Sequence, residues 1–257
     1  MYINNSAIKR IAKDVKYIIT NEMSLSRENI YYKHDEENAY KGYALIIGTA
    51  NTPYAYGYYF FEFTFPENYP FAPPVVTYLT NDGSMRFNPN LYSNGKVCLS
   101  ILNTWAGESW SSCQSIHSIL FTLITILCEN PLLNEPGVKE DHNDLNKYNY
   151  LVFYKNIEFA IVTQIGLIND HTNEAIYKNI NKKIPRHNIE IMRKFKDIVN
   201  STFQNNKANI LELINANKIK YANYIALALN NSFKIVLYNL NYSLNYDKLY
   251  ELVNSVF

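Results

Sequence analysis

The sequence predicts an α+β fold on three observations: an amphipathic segment near the start, a central block of aromatic and β-branched runs cut by turns, and helical apolar periodicity from residue 116 onward. Helix, strands, then helices is not the strict alternation that builds a parallel α/β sheet. In the first segment Ile8, Ile11, Ala12, Val15, Ile18 and Ile19 recur at three- and four-residue spacing after Asn5 and Ser6, both good helix caps, while Lys9, Arg10, Lys13 and Lys16 lie off that stripe. From Tyr43 to Asn81, "YALIIGTA", "YYFFEFTF" and "VVTYLTN" are separated by Pro-, Gly- and Asn-bearing turns and read as three strands of an antiparallel meander. Ile116, Ile119, Leu120, Leu123, Ile124 and Leu127 fit one face of a helix that "NPLLNEPG" ends, and another helix is expected over residues 148–168. Farther on, 189–203, 208–215, 221–230 and 246–256 read as separate helices joined by Asn- and Lys-rich connections.

With 257 residues, 47% of them hydrophobic, the chain can bury the core of one large or two modest domains. The formal charge of +1, with basic residues scattered, lacks the footprint of a nucleic-acid binder, so no nucleic-acid partner is expected. "MYINNSAIKRIAKDV" has no uninterrupted apolar run, and the longest apolar stretch, 116–127, is broken by His117, Ser118, Thr122 and Thr125. The expectation is a cytosolic or nuclear protein with no membrane association. Three cysteines, Cys98, Cys113 and Cys128, form no Cys-x-x-Cys pair, so neither a disulfide framework nor a metal site is expected. The abundance of Asn, Lys, Ile and Tyr matches the codon bias of an AT-rich genome, such as that of a large DNA virus or a protist.

The stretch "FNPNLYSNGKVCLSILNTW" places Cys98 after two tight turns, with the nearest histidine at His117. A cysteine protease needs a base beside its thiol, which this spacing does not supply. Thiol exchange needs less: a reachable sulfur to accept an acyl group already activated as a thioester, and a hydrogen-bond donor where the oxyanion develops. Asn90, fixed behind Pro89, is the candidate donor. A lone cysteine is more often a small buried hydrophobe, so the chemical reading rests on its neighbours. The Tyr-rich strand reads as core rather than as a base-stacking platform.

Those neighbours form an ordered series. "YYFFEFTFPENYPFAPP", "NPNLYSNGKVCLSIL" and "WSSCQSIHSILFTLITILCENP" resemble, in order and distance, the motifs of the ubiquitin-conjugating enzymes, including an asparagine eight residues before the cysteine. The resemblance covers about the first 165 residues. It implies a UBC-like fold: an N-terminal helix, a four-stranded antiparallel meander sheet, an active-site cysteine on a long loop after the sheet, then C-terminal helices. It also implies a conjugating domain over 1–168 and a mainly helical extension over 169–257 packed on it. Asn88, Pro89 and Asn90 stand where most of the family has His-Pro-Asn, the "ILNTWAGESW" loop is longer than usual, and "ENPLLNEPG" follows the next helix. In these respects the chain is similar to the large Z-type branch and to the conjugating domain of the giant inhibitor-of-apoptosis protein.

The resemblance implies roles for particular residues. Cys98 would carry the modifier as a thioester, Asn90 would stabilise the oxyanion, and Glu135 would orient and deprotonate the incoming lysine, with Asn88 and Pro89 shaping the site. Lys9, Arg10 and Lys13 match the basic face that meets the activating enzyme. Phe71, Ser112 and Cys113 match ligase contacts, although Trp110, Ser111, Ser112 and Cys113 replace the usual Trp-Ser-Pro-Ala. The implied partners are ubiquitin or a ubiquitin-like modifier, an activating enzyme, a ligase and substrate lysines. No intrinsic cofactor is implied, because ATP is used by the activating enzyme. Two alternatives stand beside this reading: an enzyme for a ubiquitin-like modifier, and a non-catalytic binding module that keeps the fold.

Overall fold

A computed structural model describes residues 5–169, 184–227 and 233–256. The chain divides into two compact units, Met1–Gly48 with Tyr58–Leu127, and Thr49–Gly57 with Cys128–Phe257.

The first unit opens with helices α1 (Asn5–Thr20) and α2 (Glu22–Arg27). Asn5 and Ser6 form the first turn of α1 rather than preceding it. The buried face of α1 is Ala7, Ile11, Asp14 and Ile18, so the expected apolar stripe is rotated: Ile19 is left 66% exposed and Ala12 is exposed. Both sides of that helix are apolar, and the inner one carries the polar Asp14, whose burial is tolerated because Arg10 and Tyr69 bond its carboxylate inside the unit.

Strands β1 (Ile30–His34), β2 (Lys41–Ile47), β3 (Tyr58–Thr64) and β4 (Val75–Tyr78) form an antiparallel sheet in sequence order, the expected meander of four. One register line runs Tyr32, Ala44, Phe61, Tyr78. The strand that periodicity did not locate is β1. It is short, and its Lys33 and His34 dilute the apolar pattern. Gly42 is required where β1 meets β2, since a Cβ there would lie 1.9 Å from the Tyr32 hydroxyl. Six of the seven residues of β2 are buried, as the near-continuous apolar run of a strand covered on both faces demands. Tyr58, Tyr59, Phe60, Phe61 and Phe63 of β3 are buried too, confirming the Tyr-rich run as core. After β4 come a long irregular segment and α3 (Ile116–Ile126), with Ile116, Ile119, Leu120 and Leu123 buried and a Ser115–Ser118 capping box at its start.

The second unit is organised on a helix in three parts: α4 (Leu145–Lys155), a π-helical stretch (Asn156–Thr163) and α5 (Gln164–Ile168). These 24 residues are long and apolar enough to cross a membrane, yet 89% of the relevant window is buried within the protein, as expected of a core helix. Helices α6 (Arg186–Arg193), α7 (Lys196–Leu227) and α8 (Tyr246–Ser255) and a small hairpin, β5 (Lys234–Ile235) with β6 (Leu240–Asn241), complete it. Helices α7 and α8 pack on the core helix within the unit through rings, Tyr221 on Tyr150 at 5.5 Å and Tyr246 on Phe153 at 6.5 Å.

The three helices expected over 189–230 are instead two, broken at Lys194 and Phe195, with α7 running 32 residues. The asparagine-rich joints do not interrupt it because Val199, Phe203, Ile210 and Ile214 give the helix a continuous buried face, while Asn206 and Asn217 donate their amides to the Thr202 carbonyl at 2.8 Å and the Leu213 carbonyl at 3.0 Å. The expected helix end at 228–230 lies outside the described residues.

Candidate active site

The stretch around Cys98 is built by short-range bonds. Tyr92 N donates to Lys96 O (3.0 Å) and Gly95 N to Tyr92 O (3.0 Å), closing a turn in which Gly95 adopts φ 88°. A side chain at 95 would also meet the Tyr78 carbonyl at 3.0 Å, so glycine is needed twice over. Gly95 O then accepts Tyr78 N at 2.8 Å, which docks the turn on the end of β4. The returning chain is tied by a reciprocal pair: Cys98 N donates to Asn90 O (2.8 Å), and Asn90 Nδ2 donates to Cys98 O (2.7 Å). Asn88 anchors the pair from below, accepting Asn90 N at 2.9 Å through Oδ1 and donating Nδ2 to Ile126 O at 2.7 Å. Asn88 is fully buried, Pro89 is buried and Asn90 is 6% exposed. A neutral histidine carries the same one donor and one acceptor, so Asn88 keeps the bonding capacity of the residue it replaces.

Cys98 itself is 1% exposed. Thr104 bridges the backbone on either side of it: its hydroxyl donates to Val97 O (2.9 Å) and accepts Leu99 N (2.9 Å). Between them a 3-10 turn, Ser100–Leu102, ends at Asn103 in the left-handed region (φ 57°), and Asn103 Oδ1 accepts Trp110 N at 2.9 Å. Asn90 Oδ1 is buried with no hydrogen-bond partner among the described residues. The amide is therefore held by its nitrogen alone. Thr104 and Asn103 escaped the sequence reading; an Asn-Thr pair directly after a Leu-rich turn was the available signal.

Glu135 lies in the second unit, half-buried after the 3-10 turn Pro131–Asn134. Its carboxylate accepts the Tyr238 hydroxyl at 2.5 Å from 103 residues away. The same hairpin is held at Asp144, which is 1% exposed and accepts Leu237 N at 2.9 Å, and at Lys147, whose Nζ donates to Lys234 O at 3.2 Å. Nothing in the sequence near Tyr238 marks it as a partner of Glu135.

A family model described as ubiquitin-conjugating enzyme matches residues 10–161, a span that contains the Asn88–Trp110 stretch and Glu135 but not the hairpin bonded to Glu135. The chain belongs to the ubiquitin-conjugating enzyme family. It is 38% identical over 164 residues to ubiquitin-conjugating enzyme E2 Z of Xenopus tropicalis, covering 62% of this chain and 50% of that one. Over 204 residues it is 36% identical to the human dual E2 ubiquitin-conjugating enzyme/E3 ubiquitin-protein ligase BIRC6, covering 73% of this chain and 4% of that one. A probable ubiquitin-conjugating enzyme, E2 R521 of Acanthamoeba polyphaga mimivirus, is 32% identical over 228 residues, covering 82% of this chain and 15% of the relative. The chain spans half the length, or less, of the curated relatives it matches.

For this conjugating-enzyme chain the remaining candidate residues fall into two groups. Lys9, Lys13, Ser112 and Cys113 are exposed, and Phe71 is 79% exposed, so each is free to meet another molecule. Arg10 is different. Its guanidinium is turned inward onto Asp14, Ser112 and Gln114. Tyr69, beside it, donates its hydroxyl to Asp14, and burial followed by that bond holds the Tyr69 pKa well above the ordinary phenol value. Cys128 is half-buried, with burial pushing its thiol pKa up. His117 packs between the rings of Tyr17 (5.1 Å) and Phe121 (4.6 Å), and burial lowers its pKa.

Proposed function

We propose that this chain accepts ubiquitin from an activating enzyme as a thioester on Cys98 and passes it to a substrate lysine with the help of a ligase. Membership of the family supports the reaction class. The observation that carries the assignment to a residue is the reciprocal Asn90–Cys98 pair, which fixes one cysteine, and not Cys113 or Cys128, against a buried amide.

Charging is a thiol exchange. The Cys98 sulfur attacks the carbonyl of the incoming thioester, a new C–S bond forms, and the activating enzyme's sulfur leaves and takes up the proton. Discharge replaces that bond with C–N: the lysine amine attacks, the tetrahedral oxyanion collapses, and the Cys98 thiol is regenerated. Asn90 carries two amide hydrogens; one is spent on Cys98 O, which fixes the group, and the second serves the oxyanion. Glu135 accepts the proton from the lysine. Because Cys98 is 1% exposed, the chain around it has to open before either step. Retention of both Cys98 and Asn90 favours this reading over a non-catalytic module.

Incubation with activating enzyme, ubiquitin and ATP should give an adduct that a thiol reductant releases. Cys98→Ser should give none, or a reductant-resistant ester, and Cys128→Ala should charge like the parent. Asn90→Ala should slow discharge to lysine on the order of a hundredfold. An adduct that survives loss of Cys98 would overturn the assignment, and a panel of ubiquitin-like modifiers with their own activating enzymes would identify the modifier.

A further inference from the structure

We propose that Arg10 is a positioning residue that builds the ligase-facing surface, rather than a contact to the activating enzyme. The inference rests on the reading above that Phe71, Ser112 and Cys113 face a ligase. All three guanidinium nitrogens are engaged: Nε donates to Asp14 Oδ1 at 2.9 Å, one terminal nitrogen to Ser112 O at 2.7 Å, and the other to Gln114 O at 2.5 Å. The side chain is only 21% exposed and that of Asp14 only 7%. The second Asp14 oxygen accepts the Tyr69 hydroxyl. The Tyr69 ring lies 5.7 Å from the Arg10 guanidinium and 5.9 Å from the Trp110 ring, and Trp110 Nε1 closes the circuit on Pro70 O at 2.7 Å.

Two loops, 69–71 and 110–114, are thereby bolted to the same turn of α1. What they present outward is Phe71, 79% exposed, together with exposed Ser112 and Cys113. A large aromatic side chain standing in solvent on a buried, fully bonded base is a preorganised contact: its partner does not have to order the loops on binding. Arginine is needed for its planar fork, which reaches two carbonyls and a carboxylate at once; lysine supplies the same charge without that geometry. A contact to the activating enzyme would ask for charge, and this site asks for shape.

That difference makes Arg10→Lys the decisive variant. Amide hydrogen exchange of the uncharged protein would be followed at Gln114, bonded to Ser111 O, and at Ser115, bonded to Ser118 Oγ. Exchange at both should accelerate by about tenfold in Arg10→Lys. The ligase concentration giving half-maximal discharge should rise by about fivefold or more, with the rate at saturating ligase unchanged, because the surface is loosened and the chemistry is not. Arg10→Met combined with Asp14→Leu, which leaves no buried charge unpaired, should loosen the loop in the same way if the single variants fold poorly. Parent-like exchange and ligase dependence in Arg10→Lys would overturn the proposal. So would a variant whose only defect is slower charging that lysine repairs relative to alanine. Failure of the conjugating reading is separable, since the parent chain would then form no thioester while the exchange result stood.

Discussion

The segment that carries Cys98 and the loop that carries Glu135 are held in opposite ways. Around Cys98 most bonds span two to eight residues: Asn90 to Cys98, Asn88 to Asn90, Thr104 to Val97 and Leu99. Around Glu135 the backbone is also tied locally, Glu135 N to Leu132 O, but the carboxylates are engaged from about a hundred residues away, Tyr238 to Glu135 and Leu237 to Asp144. The Cys98 segment is thus closed mainly by its own neighbours and seated on β4 and α3 through Tyr78 and Ile126, whereas the Glu135 carboxylate is held by the C-terminal hairpin.

The sharpest way to break that contrast is at the two thiols of unequal burial. Cys113 is exposed and Cys98 is 1% exposed, so iodoacetamide should label Cys113 faster by a factor on the order of a hundred, read by mass spectrometry after partial reaction. Equal rates would mean that the local ties do not keep the segment closed. Next, Asn88→Ala strands Asn90 N and Ile126 O inside the protein and should cost about 2–4 kcal/mol in urea denaturation, with Asn88→His recovering much of it. A loss below about 1 kcal/mol would show that the triplet is not the foundation of the cradle. On the remote side, Tyr238→Phe should cost only about 1 kcal/mol while raising hydrogen exchange across 135–148 and leaving the Cys98 amide protected. Raised exchange at both places would erase the distinction.

The smallest expected effect concerns pH. Burial lowers the pKa of His34 and His117, so each folded histidine stays neutral where the unfolded one, with a pKa near about 6.5, takes up a proton. Their contribution is present above that value and is lost as pH falls from it toward the folded pKa. Urea midpoints should therefore drop modestly between pH 7.5 and 5.5, and His117→Leu should flatten part of that slope.

The same contrast explains what could be read from the sequence. The Asn88–Cys98 stretch was legible because its partners are its own neighbours, and β2 and β3 because their apolar runs are dense enough to need cover on both sides. Strand β1 was not, because Lys33 and His34 break its pattern and only pairing with β2 makes it a strand. The rotation of α1 was hidden because its inner face is marked by a carboxylate, and a buried Asp14 makes sense only once Arg10 and Tyr69 are seen to close on it. Asparagine-rich segments suggested breaks in α7 that packing of Val199, Phe203, Ile210 and Ile214 overrides. Tyr238 was beyond reach, since its link to Glu135 spans 103 residues.

Asn103 has one further consequence. By capping the turn after Cys98 in the left-handed region and accepting Trp110 N, it brings the two ends of 105–109 together independently of what lies between them. Ala106, Gly107, Glu108 and Ser109 at that tip are all exposed. Lengthening a closed surface loop costs little, about 0.6 kcal/mol per doubling. The stem is therefore a natural grafting point beside Cys98, where new peptide can be spliced in without rebuilding the segment that holds it.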